Sequence, residues 1–320
     1  MPKLIKIRFN NNAKLSIKIK QGVTFFKTLS LNNKLGENVM KKILAVLFVL
    51  LSTVFTNAED LKLLHEKSFN VNAGEKLFVS AGGGGDVIVD CWDKNEVLVK
   101  IYGNRKAESK IDFTLEKKEK EVYVKGERKG SGFFSSFSHI NVKYTVTVPK
   151  DYMLELKTSG GDIKVDLVNG LKKLSTSGGD IILKNTRGEI SGSTSGGDIL
   201  IENTEGDISV STSGGDIKVK TINSKLEAAT SGGDVDVDYK GENKGIDVST
   251  SGGDIKLAFE KNIKANLELR TSGGEISVSL PLSSTEKIST SKFIAKCNEG
   301  GKEIKATTSG GDIIVTELDK

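Results

Sequence analysis

The sequence predicts an all-β protein, a parallel β-solenoid of ~18-residue, two-strand coils preceded by an irregular β-rich N-terminal portion. Three observations predict it. The hexapeptide TSGGDI or a close copy starts at Thr158, Thr176, Thr194, Thr212, Thr230, Thr250, Thr271 and Thr308, at intervals of 18, 18, 18, 18, 20, 21 and 37 residues. Apolar residues occupy every second place before each copy, as in Ile208, Val210 and Thr212, and after it, as in Ile217 and Val219. The parity of that alternation switches at Ser-Gly-Gly-Asp and again near Gly206, where Ile199 and Ile201 give way to Ile208 and Val210.

Alternation with a period of two is the mark of a strand with one buried face. A parity switch means that the chain turns a corner and keeps its apolar side inward. Two strands and two corners in so short a lap close only if each strand pairs with the matching strand one repeat later, in parallel and in register. Helices are disfavoured, because the apolar spacing is not 3.6 and glycine pairs recur throughout. The long last interval is read as hiding an eroded copy at Thr290-Ser291. Nine motif positions at ~4.8 Å per stacked strand span about 38 Å.

Taken in chain order, residues 1–58 stand apart from the fold. Lys41-Lys42, the apolar run Ile43–Phe55 and Thr56-Asn57-Ala58 form a secretory signal over residues 40–58, too short in its apolar part to span a bilayer. Met40 precedes it directly, so residues 1–39 are read as an extension from a start codon assigned too far upstream. Residues 59–157 form the irregular β portion, continuous with the solenoid. There Leu77, Val79 and Ala81 lead into Gly84-Gly85-Asp86, and strand-like runs follow at 111–115, 121–125 and 140–148. Residues 158–320 form the regular TSGGDI solenoid.

Without the leader, the chain carries 37 basic against 41 acidic residues, a net of −4. With few aromatic side chains as well, nucleic acid is excluded as the expected partner. Export permits disulfides, but Cys91 and Cys297 belong to opposite ends of the stack and are expected as separate, buried thiols. The mature chain shows no lipid-accepting cysteine after the signal and no apolar tail, so no transmembrane segment is expected.

Each letter of TSGGD has a structural reading. Threonine faces inward at a strand end, with its hydroxyl free to bond along the stack or to the corner backbone while its methyl packs. The pairs Gly160-Gly161, Gly178-Gly179, Gly196-Gly197, Gly214-Gly215, Gly232-Gly233, Gly252-Gly253, Gly273-Gly274 and Gly310-Gly311 are the structural turn residues, permitting positive φ and close approach of adjacent coils. Aspartate caps its own turn by accepting backbone N–H groups two residues on. No metal or other cofactor is expected on this reading. The alternative is a Ca²⁺ column of Asp162, Asp180, Asp198, Asp216, Asp234 and Asp254, akin to RTX-type repeats, although the glycine-x-Asp step of those repeats is missing and the opposite corner varies. A melting curve that moves with millimolar Ca²⁺ but not with Mg²⁺ separates the two.

An enzyme is a further alternative, since parallel β-helices include polysaccharide lyases and hydrolases. Such sites gather acids, bases and aromatics on one face, whereas the acids here recur one per repeat and the two histidines, His65 and His139, lie outside the regular coils. No catalytic residue is assigned; His139 and Trp92 read as packing or loop residues. Phe133, Phe134 and Phe137 within GSGFFSSFSH form either a contact loop or a plug over the open end of the core.

The order of these pieces carries a resemblance over residues 63–320. A Gly-Asp-Val strand is followed by CWDKNEV, then by YTVTVPKDYMLELKTSGGDIKV and the glycine-Asp-Ile coils. It resembles a bacterial domain-of-unknown-function family of candidate adhesins, β-solenoid proteins of the cell envelope. The resemblance implies the fold and an exposed position, and it has no catalytic residues to transfer. The expected function is that of an exported, non-enzymatic adhesin or envelope scaffold, periplasmic, at the cell surface or extracellular. Its partner would be a protein or a surface polysaccharide, met through outward residues such as Lys164, Lys218, Asp236 and Lys256.

Overall fold

The computed structural model describes residues 6–10, 14–18, 29–30, 61–129 and 140–318. The expected signal peptide and the Phe133, Phe134, Phe137 and His139 stretch lie outside them. The chain divides into two units, Met1–Glu59 and Asp60–Lys320. In the first, β1 (Lys6–Asn10) pairs antiparallel with β2 (Lys14–Lys18), and β2 with β3 (Leu29–Ser30).

The second unit opens with β4 (Lys62–Asn70), β5 (Lys76–Ala81), β6 (Asp86–Trp92) and β7 (Glu96–Gly103). A short helix α1 (Arg105–Lys110) follows, with the Asn104 side chain accepting the Ala107 N–H at 3.0 Å as its N-cap. Next come β8 (Ile111–Lys118), β9 (Glu121–Arg128) and β10 (Val142–Pro149). The repeat region continues as strand pairs, one pair per coil. These are β11 (Met153–Thr158) and β12 (Ile163–Asp166), β13 (Lys172–Ser175) and β14 (Ile181–Lys184), β15 (Ile190–Ser193) and β16 (Ile199–Glu205), and β17 (Ile208–Ser211) and β18 (Ile217–Ile222). They go on as β19 (Leu226–Ala229) and β20 (Val235–Lys240), β21 (Ile246–Ser249) and β22 (Ile255–Phe259), and β23 (Ala265–Thr271) and β24 (Ile276–Val278). The hairpin strands β25 (Leu282–Ile288) and β26 (Lys292–Cys297) precede the last coil, β27 (Glu303–Thr308) and β28 (Ile313–Glu317).

The pairs form two facing sheets of 12 and 13 strands. Setting aside the antiparallel additions (β7 and β4 in one, β8, β25 and β26 in the other), each sheet has ten parallel rungs, or about 43 Å of stack at ~4.8 Å per rung. Parallel strands in register put like residues in columns. Ile163, Ile181, Ile199 and Ile217 lie side by side in one sheet, and Ile190, Ile208, Leu226 and Ile246 in the other, all of them buried. The next residue along each strand faces outward, as the period of two requires: Lys164, Ile182, Leu200 and Lys218 in the first sheet, and Ser191, Ser209, Glu227 and Asp247 in the second.

The stack does not follow sequence order at its ends. The coil β5–β6 is flanked on one side by β11–β12 and on the other by β9–β10, which comes later in the chain than β5–β6. At the far end, β27–β28 lies between β21–β22 and β23–β24. The expectation that every coil rests on its sequence neighbour therefore holds only from β11 to β22. The eroded copy at Thr290-Ser291 is also corrected: these residues are the bend of the antiparallel β25–β26 hairpin, where the Lys292 N–H donates to the Ser289 side chain at 3.0 Å.

One core column contains an ionisable residue. Lys172 replaces the leucine or isoleucine of the neighbouring rungs, pairs in register with Leu154 and Ile190, and is fully buried. Its ammonium donates to the carbonyls of Gly170 and Arg187 at 2.9 and 2.8 Å, and burial pulls its pKa down to about 8. A folded pKa below the unfolded value means that the desolvation cost is present at neutral pH and fades as pH rises from about 8 towards ~10.4. Lys172→Met should therefore raise stability at pH 7 by ~1–3 kcal/mol, with the advantage shrinking by pH 10 in urea titrations of both proteins.

Candidate functional site

The first corner is the TSGGD turn, and hydrogen bonds between coils account for its composition. Thr194 Oγ1 donates to the Gly179 carbonyl of the preceding rung at 2.9 Å and accepts the Gly197 N–H of its own turn at 3.3 Å. The same pair of bonds repeats at Thr158, Thr176, Thr212, Thr230, Thr250, Thr271 and Thr308. The hydroxyls are buried, and each both donates and accepts. Where the rungs leave sequence order the ladder follows the stack, so Thr308 reaches Gly253 and Thr271 reaches Gly311.

The aspartates act across coils and not within their own turn, which corrects the expected local cap. Asp180 Oδ1 accepts the Asp198 N–H at 2.9 Å, Asp198 accepts that of Asp216 at 2.8 Å, and the chain of acceptors runs from Asp86 to Asp312, whose partner is the Glu275 N–H. At Asp162, burial works against the charge, but the Asp180 N–H and the Lys164 ammonium together hold the carboxyl below its ordinary range. Asp216, Asp234 and Asp254 likewise accept, through Oδ1, the N–H of the aspartate on the next rung. Among the described residues no group of three or more His, Cys, Asp or Glu side chains converges on one point.

The glycine pairs are there for close approach. None of the sixteen has φ in the left-handed region, which corrects half of the expectation. The second glycine of each pair is the constrained one, since a Cβ on Gly179 would meet the Gly161 carbonyl oxygen at 2.0 Å. On the first glycine, Gly178, the nearest atoms would be 3.8 Å away.

Positive φ belongs to the second corner. Leu167, Asn185 and Asn203 form a column with φ of 63°, 53° and 55°, Asn223 has φ of 51° at the same corner one coil on but out of register with them, and Gly170, Gly188 and Gly206 follow the column three residues later with φ above 100°. Asparagine tolerates this conformation and leucine does not favour it. The amides chain together, Asn203 Nδ2 to Asn185 Oδ1 at 3.1 Å and Asn185 Nδ2 to Asp166 Oδ1 at 2.9 Å. Beneath them Thr204, Thr221, Ser224 and the Tyr239 hydroxyl form a buried hydrogen-bonded cluster.

Along this corner runs a groove of about 750 Å³, within the size range of ligand clefts. Its floor is threonine and asparagine, and Leu167 and Ile222, two of the few large exposed apolar side chains, sit on its rim at 50% and 42% exposure. Lys150 lines one end and Lys240 lies towards the other, where Leu318 also borders the groove; neither lysine has a carboxylate within 4 Å among the described residues.

The outward residues Lys164, Lys218, Asp236 and Lys256 occupy one column of the β12–β22 sheet face, where Lys218 pairs with Asp236 at 2.9 Å. The opposite face is smooth, lined by Ser191, Ser193, Ser209, Ser211 and Ala229. Trp92 donates to the Glu96 carbonyl at 2.7 Å and His65 packs on Phe113, so both hold the fold's N-terminal end. Cys91 and Cys297 are separate free thiols whose pKa burial raises, and Cys91 is only half-buried. Lys172 and the groove were missed in the sequence. Their signals were a lysine out of phase in an apolar column and a leucine in the place of the corner asparagines.

Ten parallel rungs with a threonine, glycine and aspartate ladder at one corner define a two-sheet parallel β-solenoid. The chain belongs to the Toastrack DUF4097 family, whose model matches residues 74–316. No curated protein sequence gives a match. Among crystal structures it is similar to a candidate adhesin from Bacteroides fragilis NCTC 9343, at 18% identity and a TM-score of 0.38, covering 80% of this chain and 97% of that one. It is also similar to a candidate lipid-binding protein from Parabacteroides distasonis ATCC 8503, at 15% identity and a TM-score of 0.44, covering 80% and 96%. A candidate adhesin from the same organism aligns at 15% identity and a TM-score of 0.34, covering 81% and 98%. No helix among the described residues is long and apolar enough to cross a membrane.

Proposed function

We propose that the protein is an exported, non-enzymatic β-solenoid that serves as an adhesin or scaffold of the cell envelope and engages a protein or a surface polysaccharide. The observation that carries this reading is that the repeat's polar groups are bonded to one another from rung to rung. The conspicuous motif thus builds a rigid rod, and contact with other molecules is left to the sheet faces and the second-corner groove. Export is supported by the signal-like stretch at 40–58.

The purified protein, fluorescently labelled, should bind envelope fragments saturably and release no new reducing ends from their polysaccharides. Release of reducing ends would turn the reading to a polysaccharide-active enzyme, and absence of saturable binding would end the interaction reading.

A further inference from the structure

We propose that the groove along the second corner holds an extended acidic glycan, lying parallel to the stack axis. This deepens the interaction reading above and rests on it. The groove crosses the strands at their ends, where the backbone groups of adjacent rungs already pair with one another, as Leu167 N–H does with the Lys184 carbonyl and Asn185 N–H with that of Glu202. A polypeptide laid along it could add no strand to a sheet. What the groove offers instead is side-chain chemistry repeated at the rung spacing of ~4.8 Å, a length comparable to the advance of one sugar in an extended chain.

Three features of that chemistry agree. The Asn185 and Asn203 amides keep unused hydrogen-bonding capacity after bonding to each other, which suits a row of hydroxyls. Leu167 and Ile222 give exposed apolar patches separated by three rungs, which suits the C–H faces of sugar rings. Leu167 holds its place against backbone preference, since the next rungs place asparagine there at nearly the same φ; strain of this kind persists where an exposed side chain has a use. Charge decides the class of sugar. Lys150 and Lys240 have no carboxylate partner among the described residues, whereas Arg187 and Lys220 are balanced by Glu205 at 3.5 Å and Asp238 at 3.1 Å. The groove therefore carries two unneutralised cations, complementary to a chain bearing carboxylates.

The test is isothermal titration of the full chain with hexagalacturonate, with cellohexaose as the neutral probe and hexaglutamate as the peptide probe. Hexagalacturonate should bind, more weakly at 0.5 M salt than at 0.05 M, and the other two probes should bind at least ~tenfold more weakly. Lys150→Glu with Lys240→Glu should weaken binding by about tenfold or more. Leu167→Asn, which suits the local backbone and should leave the melting temperature unchanged or higher, should weaken it several-fold. Lys106→Glu, exposed on α1 and away from both the groove and the sheet faces, should leave it unchanged. Equal binding of hexaglutamate would show a peptide or simple polyanion site, equal binding of cellohexaose a site blind to charge, and either overturns the proposal. So does binding that these substitutions do not alter, or no binding of hexagalacturonate. If envelope binding persists while hexagalacturonate fails, the glycan assignment falls and the adhesin or scaffold reading stands.

Discussion

Gly179→Ala should unfold or severely weaken the solenoid, while Gly178→Ala, one residue away in the same turn, should be nearly silent. The two glycines read alike in sequence. In the stack, however, a methyl on Gly179 would lie 2.0 Å from the Gly161 carbonyl oxygen and 2.3 Å from its carbon, and that oxygen is also the acceptor of the Thr176 hydroxyl at 3.0 Å. Making room means moving one rung off the next, which breaks this bond, stretches the bond from Asp180 N–H to Asp162 Oδ1 at 3.1 Å, and loosens the aliphatic columns on both sides. Such backbone overpacking together with lost hydrogen bonds should cost ~3 kcal/mol or more. On Gly178 the nearest atoms stand at 3.8 Å and φ is outside the left-handed region, so alanine should change stability by less than ~1 kcal/mol, in either direction. Urea unfolding followed by circular dichroism checks both, and equal effects of the two substitutions would reject the close-approach account.

Removing residues 303–320 should release more of the chain than it deletes. In a solenoid stacked in sequence order, losing the last coil removes one interface and leaves the previous coil in place. Here β27–β28 is an interior rung, with Ile304, Ala306, Ile313 and Val315 all fully buried between β21–β22 on one side and β23–β24 on the other. Its loss removes two interfaces and leaves β23–β24 facing a gap one rung wide. The Asn243 amide ties the Lys264 and Lys302 carbonyls together at 3.2 and 2.8 Å, and the cut turns Lys302 into a free chain end no longer held by the strand that follows it. Hydrogen exchange of the truncated protein should show protection kept from β11 to β20 and lost across β23 and β26, whose residues are still present. Retained protection in β23 would mean that the coil simply closes onto β21, and that the order of rungs contributes little.

The lap of the chain, its two strands and two corners, and the inward columns were legible because the alternation of apolar residues and the spacing of Thr158 through Thr250 are local and repeated. So was the structural purpose of TSGGD, and the inward threonine whose hydroxyl bonds along the stack. That the aspartate carboxylate reaches the next rung, and that only the second glycine is sterically required, depends on how near one corner lies to another. The mis-read copy at Thr290-Ser291 had the spacing of a coil but lacked the glycines, and the structure uses it as a hairpin bend.

What a coil is follows from the residues of a single lap. Which coil rests on which is settled in the assembled stack, because the coils present nearly the same buried columns and most of their parallel pairings would bury similar apolar faces. The choice falls to the non-repeating pieces. The β25–β26 hairpin can extend its sheet only from β23, which makes β23–β24 outermost and pushes the C-terminal coil inside. At the other end β7, β4 and β8 do the same for β9–β10, so that β5–β6 lies within. The in-order stacking from β12 to β20 lines up Leu167, Ile222 and Lys240 along one groove, which Lys150 joins from the link between β10 and β11, although 90 residues separate Lys150 from Lys240.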